Sequence, residues 1–182
     1  MAKAYVFLAD GFETVEALAV VDILRRAGVE TVTVGVSQKS EIISAQNITV
    51  RADRMLDEED YTDADIVFLP GGMPGTRNLE ADEKVLNIVK KQYESGKIVT
   101  AICAAPSILG HLNILQGKKA TCYPGFEKDL YGAKLMTERV VEDGNVITSR
   151  GMGTAVDLGL ALVERLLGRE ASEKIASGIQ YR

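Results

Sequence analysis

Apolar positions along the chain fall into short solid runs that alternate with stretches of helical period. Residues 4–9, Ala-Tyr-Val-Phe-Leu-Ala, form the unbroken run expected of a strand buried on both faces. Over residues 14–27 the period changes. Ala17, Val20, Val21 and Leu24 recur at the spacing of one helical face, and Gly28 stands where a helix should stop. Residues 31–36 read as a second strand, and 41–45 with 48–51 as a hairpin about Gln46-Asn47. The second half repeats the theme. Residues 65–69 read as a strand ending in Pro70-Gly71-Gly72, 81–93 as a helix, and 98–102 as a strand running into Cys103. A helix over 105–112, a strand over 120–123 and a hairpin pairing 138–141 with 145–148 follow. The chain closes on a strongly apolar helix, 154–167, with Val156, Gly159, Leu160, Val163 and Leu167 on one stripe, and a short helix over 170–176.

This alternation predicts an α/β fold with a largely parallel sheet covered by helices on both faces. No linker, repeat or low-complexity tract divides the chain, so residues 1–182 are expected to form one domain. Ligands of such sheets bind beyond the carboxyl ends of the strands. That rule selects residues 9–16, 70–75 and 102–106.

The second of these segments, Leu69-Pro70-Gly71-Gly72-Met73-Pro74-Gly75, can bring backbone close to a ligand, and equally reads as a tight turn. The third, Ile102-Cys103-Ala104-Ala105-Pro106, joins a strand to a helix through small residues. A tight turn of that kind can raise a nucleophile into a cleft, and a helix N-terminus favours the thiolate and offers N–H groups to an oxyanion. A buried structural cysteine fits the same pattern. In the first segment Glu13 reads as a helix cap. Glu16 is either an ordinary first-turn acid or a carboxyl at the ligand edge, where burial beside a cysteine would raise its pKa and let it carry a proton.

Composition narrows the classes. Lys and Arg total 21 against 26 Asp and Glu, a formal net charge of −5, so there is no basic excess for nucleic acid. No apolar run is long enough to span a bilayer and no secretory signal is evident, so a cytoplasmic protein with free thiols is expected, and no membrane partner. One histidine, His111, leaves no His-rich metal site, and the glycine turns lack the G-x-G-x-x-G spacing of a dinucleotide site. Neither a metal nor an organic cofactor is expected.

Four segments together resemble the ThiJ/PfpI superfamily, in the branch that includes the Parkinson-disease protein. They are Ala9-Asp10-Gly11 with Glu16 and Val21-Asp22; Leu69-Pro70-Gly71-Gly72; Ala101-Ile102-Cys103-Ala104-Ala105-Pro106; and Thr148-Ser149-Arg150-Gly151 with Gly153-Thr154. The resemblance implies a flavodoxin-like sandwich and a reactive elbow cysteine at Cys103, hydrogen-bonded by Glu16. It places oxyanion donors at Gly71, Gly72 and Ala104, and implies a homodimer with the first helix, including Asp22 and Arg26, near its axis. Two positions depart from the family. Ala104 stands where the protease-like branch has a histidine after the cysteine, and Tyr123 stands where the Parkinson-disease protein has a pocket histidine before the proline, here Pro124. A protease triad is therefore not expected, and Glu16 must serve as both acid and base, with Tyr123 at hand. Cys122 reads as a small core filler or as a second pocket thiol.

The resemblance implies an enzyme for small aldehydes or glycated groups, of glyoxalase or deglycase type, acting through a Cys103 hemithioacetal. An oxidant sensor that forms a sulfinate at Cys103 needs the same residues, and a chaperone or interaction module needs neither.

Overall fold

The computed structural model describes residues 2–36, 39–58 and 60–181. The chain runs through β1 (Lys3–Leu8), α1 (Thr14–Arg26), β2 (Glu30–Gly35), β3 (Glu41–Ile43), β4 (Thr49–Arg51), β5 (Arg54–Met55) and β6 (Ile66–Leu69). It continues through α2 (Gly75–Glu80), α3 (Glu83–Glu94), β7 (Ile98–Ile102), α4 (Pro106–His111), β8 (Lys119–Ala120) and β9 (Lys134–Leu135). The last elements are β10 (Val140–Asp143), β11 (Val146–Ser149), α5 (Ala155–Leu167) and α6 (Arg169–Gly178).

Seven of the described strands form one sheet in the order β10-β11-β7-β6-β1-β2-β5. Every neighbouring pair is parallel except β10 with β11. Solid apolar strands suit this arrangement because both faces are covered. Tyr5, Phe7, Val67, Leu69, Val99 and Ala101 face a core closed by Leu79 of α2, Val85 and Val89 of α3, and Ile108 and Leu109 of α4. The alternate residues Val6, Leu8, Ile66, Phe68, Ile102 and Ile147 face α1 and α5. Those two helices approach closely because Gly159 has no side chain: a Cβ there would sit 2.8 Å from Ile23 Cδ1 and 3.1 Å from its Cβ. This is the doubly covered, largely parallel α/β sheet that the pattern predicts, in the flavodoxin-like form that the resemblance implies.

The local differences have physical causes. The helix expected over 81–93 is α3, which starts at Glu83 because the Asp82 carboxylate accepts the N–H groups of Lys84 (2.9 Å) and Val85 (3.1 Å); the short α2 before it is not among the expected elements. The strand expected over 120–123 stops at Ala120, which pairs with Leu135 of β9. Cys122 and Tyr123 turn instead toward the end of β7, where the Tyr123 N–H donates to Cys103 O at 2.8 Å. The β3–β4 hairpin docks on the loop that opens α1, with Gly11 N donating to Ile43 O (2.7 Å), Ala45 N to Phe12 O (2.8 Å) and the Thr14 hydroxyl to Gln46 Oε1 (2.7 Å). Among the described residues no helix is long and apolar enough to cross a membrane.

Candidate active site

The carboxyl ends of β11, β7, β6 and β1 lie side by side, and the loops leaving them converge. The chain departs from β1 in one direction for β2 and returns on the other side for β6, so this edge is also a topological switch point.

Cys103 immediately follows β7 and has φ 65°, a left-handed conformation that costs a non-glycine residue about 1 kcal/mol or more. The turn is held on all sides. Cys103 N donates to Ser149 O of β11 (3.0 Å), Ala105 N donates to Ile102 O (3.0 Å), and Cys103 O accepts from Tyr123 N. The sharp reversal lifts the thiol out of the strand line, leaving it half-buried.

Glu16 lies in the first turn of α1 and is only 1% exposed. Its Oε2 accepts the Gly71 N–H at 3.0 Å, and its carboxyl hydrogen-bonds the Cys103 thiol. Burial pushes this carboxyl up to about 7, and the neighbouring Glu13 charge adds to the effect, whereas the bonds from Cys103 and Gly71 oppose it. The thiol is raised as well. Burial and the Glu16 charge push Cys103 up to about 12 against the smaller pull of the Ala104 and Gly72 N–H groups. The lowered thiol expected of a helix N-terminus is therefore not what the structure holds. The helix behind the elbow, α4, has six residues, and a buried carboxylate in contact outweighs its weak dipole.

The expected site residues are thus together, with one change of duty. The N–H groups of Gly72 and Ala104 reach Cys103 Sγ, but that of Gly71 is taken by Glu16. Tyr123 is half exposed, with its ring beside Gly151: a Cβ on Gly151 would lie 3.2 Å from Tyr123 Cδ2 and 3.8 Å from Glu16 Oε1. Gly151 follows β11, and the expected set of loops omitted it. Its signal in the sequence is the fourth segment of the resemblance, Thr148-Ser149-Arg150-Gly151; the position of β11 beside β7, which brings the loop here, is not written in local sequence.

Cys122 belongs to the core on the α2–α4 face, whereas Cys103 packs against the core on the α1–α5 face, which suits the filler reading. His111 ends α4 away from the elbow and pairs with the Glu80 carboxylate. Among the described residues no group of three or more His, Cys, Asp or Glu is placed to hold a metal.

The sequence profile of the DJ-1/PfpI family matches residues 2–165. The chain belongs to the DJ-1/PfpI family. Within this family it is 40% identical over 164 residues to protein DJ-1 homolog B of Arabidopsis thaliana, covering 90% of this chain but only 37% of that protein's length. It is 35% identical over 153 residues to a deglycase of Thermococcus kodakarensis, covering 83% of this chain and 91% of the relative. Its fold superposes on oxidized Toxoplasma gondii DJ-1 with a TM-score of 0.95 at 31% identity, over 99% of this chain and 98% of the other.

Proposed function

We propose that this DJ-1/PfpI protein is a cofactor-independent enzyme for small reactive aldehydes or glycated groups, of glyoxalase or deglycase type. The hydrogen bond between the Glu16 carboxyl and the Cys103 thiol carries this reading. A thiol raised to about 12 does not wait as a thiolate, so the nucleophile has to be made in the step itself. Sγ adds to the carbonyl carbon of a 2-oxoaldehyde while its proton passes to Glu16. The carbonyl oxygen becomes an alkoxide held by the Gly72 and Ala104 N–H groups and takes that proton back from Glu16, which completes the hemithioacetal and leaves Glu16 a carboxylate. Glu16 then takes the proton from C1 as the C2 oxygen takes one from water, giving an enediol, and returns its proton to C2 as the C1 hydroxyl gives its own proton back to the hydroxide left by that water. The product is a thioester of a 2-hydroxy acid. Water hydrolyses it, releasing the acid and the Cys103 thiol. Aldehyde oxidation is balanced by ketone reduction within one molecule, so no external oxidant is needed. A carboxyl near 7 suits a group that must both take and give a proton at neutral pH.

The test is methylglyoxal consumption with the 2-hydroxy acid as product. Cys103→Ser is expected to reduce turnover by about 10³-fold or more. Undiminished turnover in that variant, or none in the wild type, overturns the enzyme reading. The oxidized state of the Toxoplasma gondii relative supports a second reading, an oxidant sensor at Cys103. Selective peroxide oxidation of Cys103 without aldehyde turnover would favour it.

We also infer a homodimer through α1 and the β3–β4 hairpin. Val15, Ile43 and Ile48 are 44%, 47% and 48% exposed apolar residues on these docked elements, and the Asp22–Arg26 pair of α1 also faces solvent. Sedimentation equilibrium is expected to give twice the chain mass, and Ile48→Glu to shift it to the single chain. A wild-type monomer overturns the inference.

A further inference from the structure

Glu13 touches both halves of the site through separate parts of itself. Its backbone is extended, with φ −80° and ψ 124°, at the cap position before α1. Its N–H donates to Gly71 O at 2.8 Å. The Gly71 N–H donates to Glu16 Oε2 at 3.0 Å. The Glu16 N–H in turn donates to Glu13 Oε2 at 2.6 Å. Three residues thus close a ring of three hydrogen bonds that joins the start of α1 to the turn after β6. Gly72, at φ 94°, passes so close to Glu13 N that a Cβ there would overlap it.

We infer that Glu13 is the positioning residue of this site, holding the Glu16 carboxyl against Cys103. An ordinary N-cap accepts a neighbouring N–H and stabilises its helix. Here the capped N–H belongs to Glu16 itself, and the cap's backbone fixes the glycine that holds the Glu16 carboxyl. The cap therefore sets both ends of one side chain. The groups facing Glu16 are Cys103 from the elbow, the Gly71 N–H from the β6–α2 turn, and Glu13 from its own helix. The Tyr123 ring lies across Gly151. Among the groups that act on Glu16, Glu13 supplies the carboxylate charge that opposes ionisation, and this repulsion favours the neutral acid.

The inference rests on the Cys103–Glu16 reading, so the experiment separates the two. The pH dependence of Cys103 alkylation and of methylglyoxal turnover is measured for wild type, Glu13→Ala, Glu13→Gln and Glu16→Gln, all with Cys122→Ser. Glu13→Ala loses acceptor and charge, and is expected to lower kcat about tenfold with little change in KM. Glu13→Gln keeps an acceptor, and is expected to recover most of that kcat. The limb assigned to Glu16 should still shift about 0.5–1 pH unit toward acid. Both effects together uphold the inference. If either is missing, for instance if melting temperatures fall while both profiles stay in place, it is overturned. If Glu16→Gln leaves Cys103 alkylation unchanged, the Cys103–Glu16 reading fails first.

Discussion

Glu16→Gln is expected to lower methylglyoxal turnover sharply and to stabilise the folded protein above pH 7. The two effects share one cause. The native carboxyl keeps its proton up to about 7, where an ordinary glutamate gives it up at 4.5. Between those values the folded chain binds a proton that the unfolded chain has lost, so folding stability falls as pH rises through that window. The full penalty above the window is about 3 kcal/mol. Glutamine is isosteric, can accept the Gly71 N–H, and has no proton to lose. Near pH 4 the variant and the wild type should therefore unfold at similar denaturant concentrations. By pH 8 the variant should be the more stable by up to that amount. Turnover should fall about 10²- to 10⁴-fold, the usual worth of a positioned acid–base group. Denaturant titrations at the two pH values, with steady-state rates, check both. A stability difference that does not change with pH, or retained turnover, contradicts this account of the site.

Most of the scaffold around this carboxyl is legible in the sequence. Solid apolar runs such as residues 4–9 announce strands covered on both faces, and the alternation with helices announces a parallel sheet with its ligand edge at the strands' carboxyl ends. The selection of residues 9–16, 70–75 and 102–106 follows from that edge alone, and Cys103, Glu16 and Gly71 all lie within it. What was not legible depends on neighbours far away in the chain. The fourth loop, with Gly151, joins the site because β11 pairs with β7 rather than with a sheet edge. The high proton affinity of Cys103 depends on how deeply it and Glu16 are buried together, which local spacing does not encode. Tyr123 left its expected strand because its backbone N–H is spent on the elbow. The two-residue strands β5, β8 and β9 are too short to show a period of two.

The strictest test of the arrangement adds a single methyl group. Gly71→Ala is expected to lower turnover by about 10²-fold while leaving the sheet and its helices in place. A Cβ at Gly71 would lie 2.5 Å from Glu16 Oε2, 2.6 Å from Cys103 Cβ and 2.9 Å from Ile102 O. Two of those three atoms belong to the reacting pair. Neither can yield freely, because Glu16 is packed beneath the turn and Cys103 is held in its left-handed turn by hydrogen bonds on both sides. Backbone strain does not confuse the result, since Gly71 is not among the glycines with positive φ. Gly153→Ala is the matched control: it sits in the 3-10 turn Met152–Thr154 after β11, and a Cβ there meets nothing within 4 Å. If the Gly71 variant keeps its circular dichroism and loses kcat while the Gly153 variant keeps both, the contact of carboxyl, thiol and glycine turn is what the activity requires. Equal activity in the two variants would mean that Glu16 can leave its place at no cost, and the proton route through it would have to be abandoned.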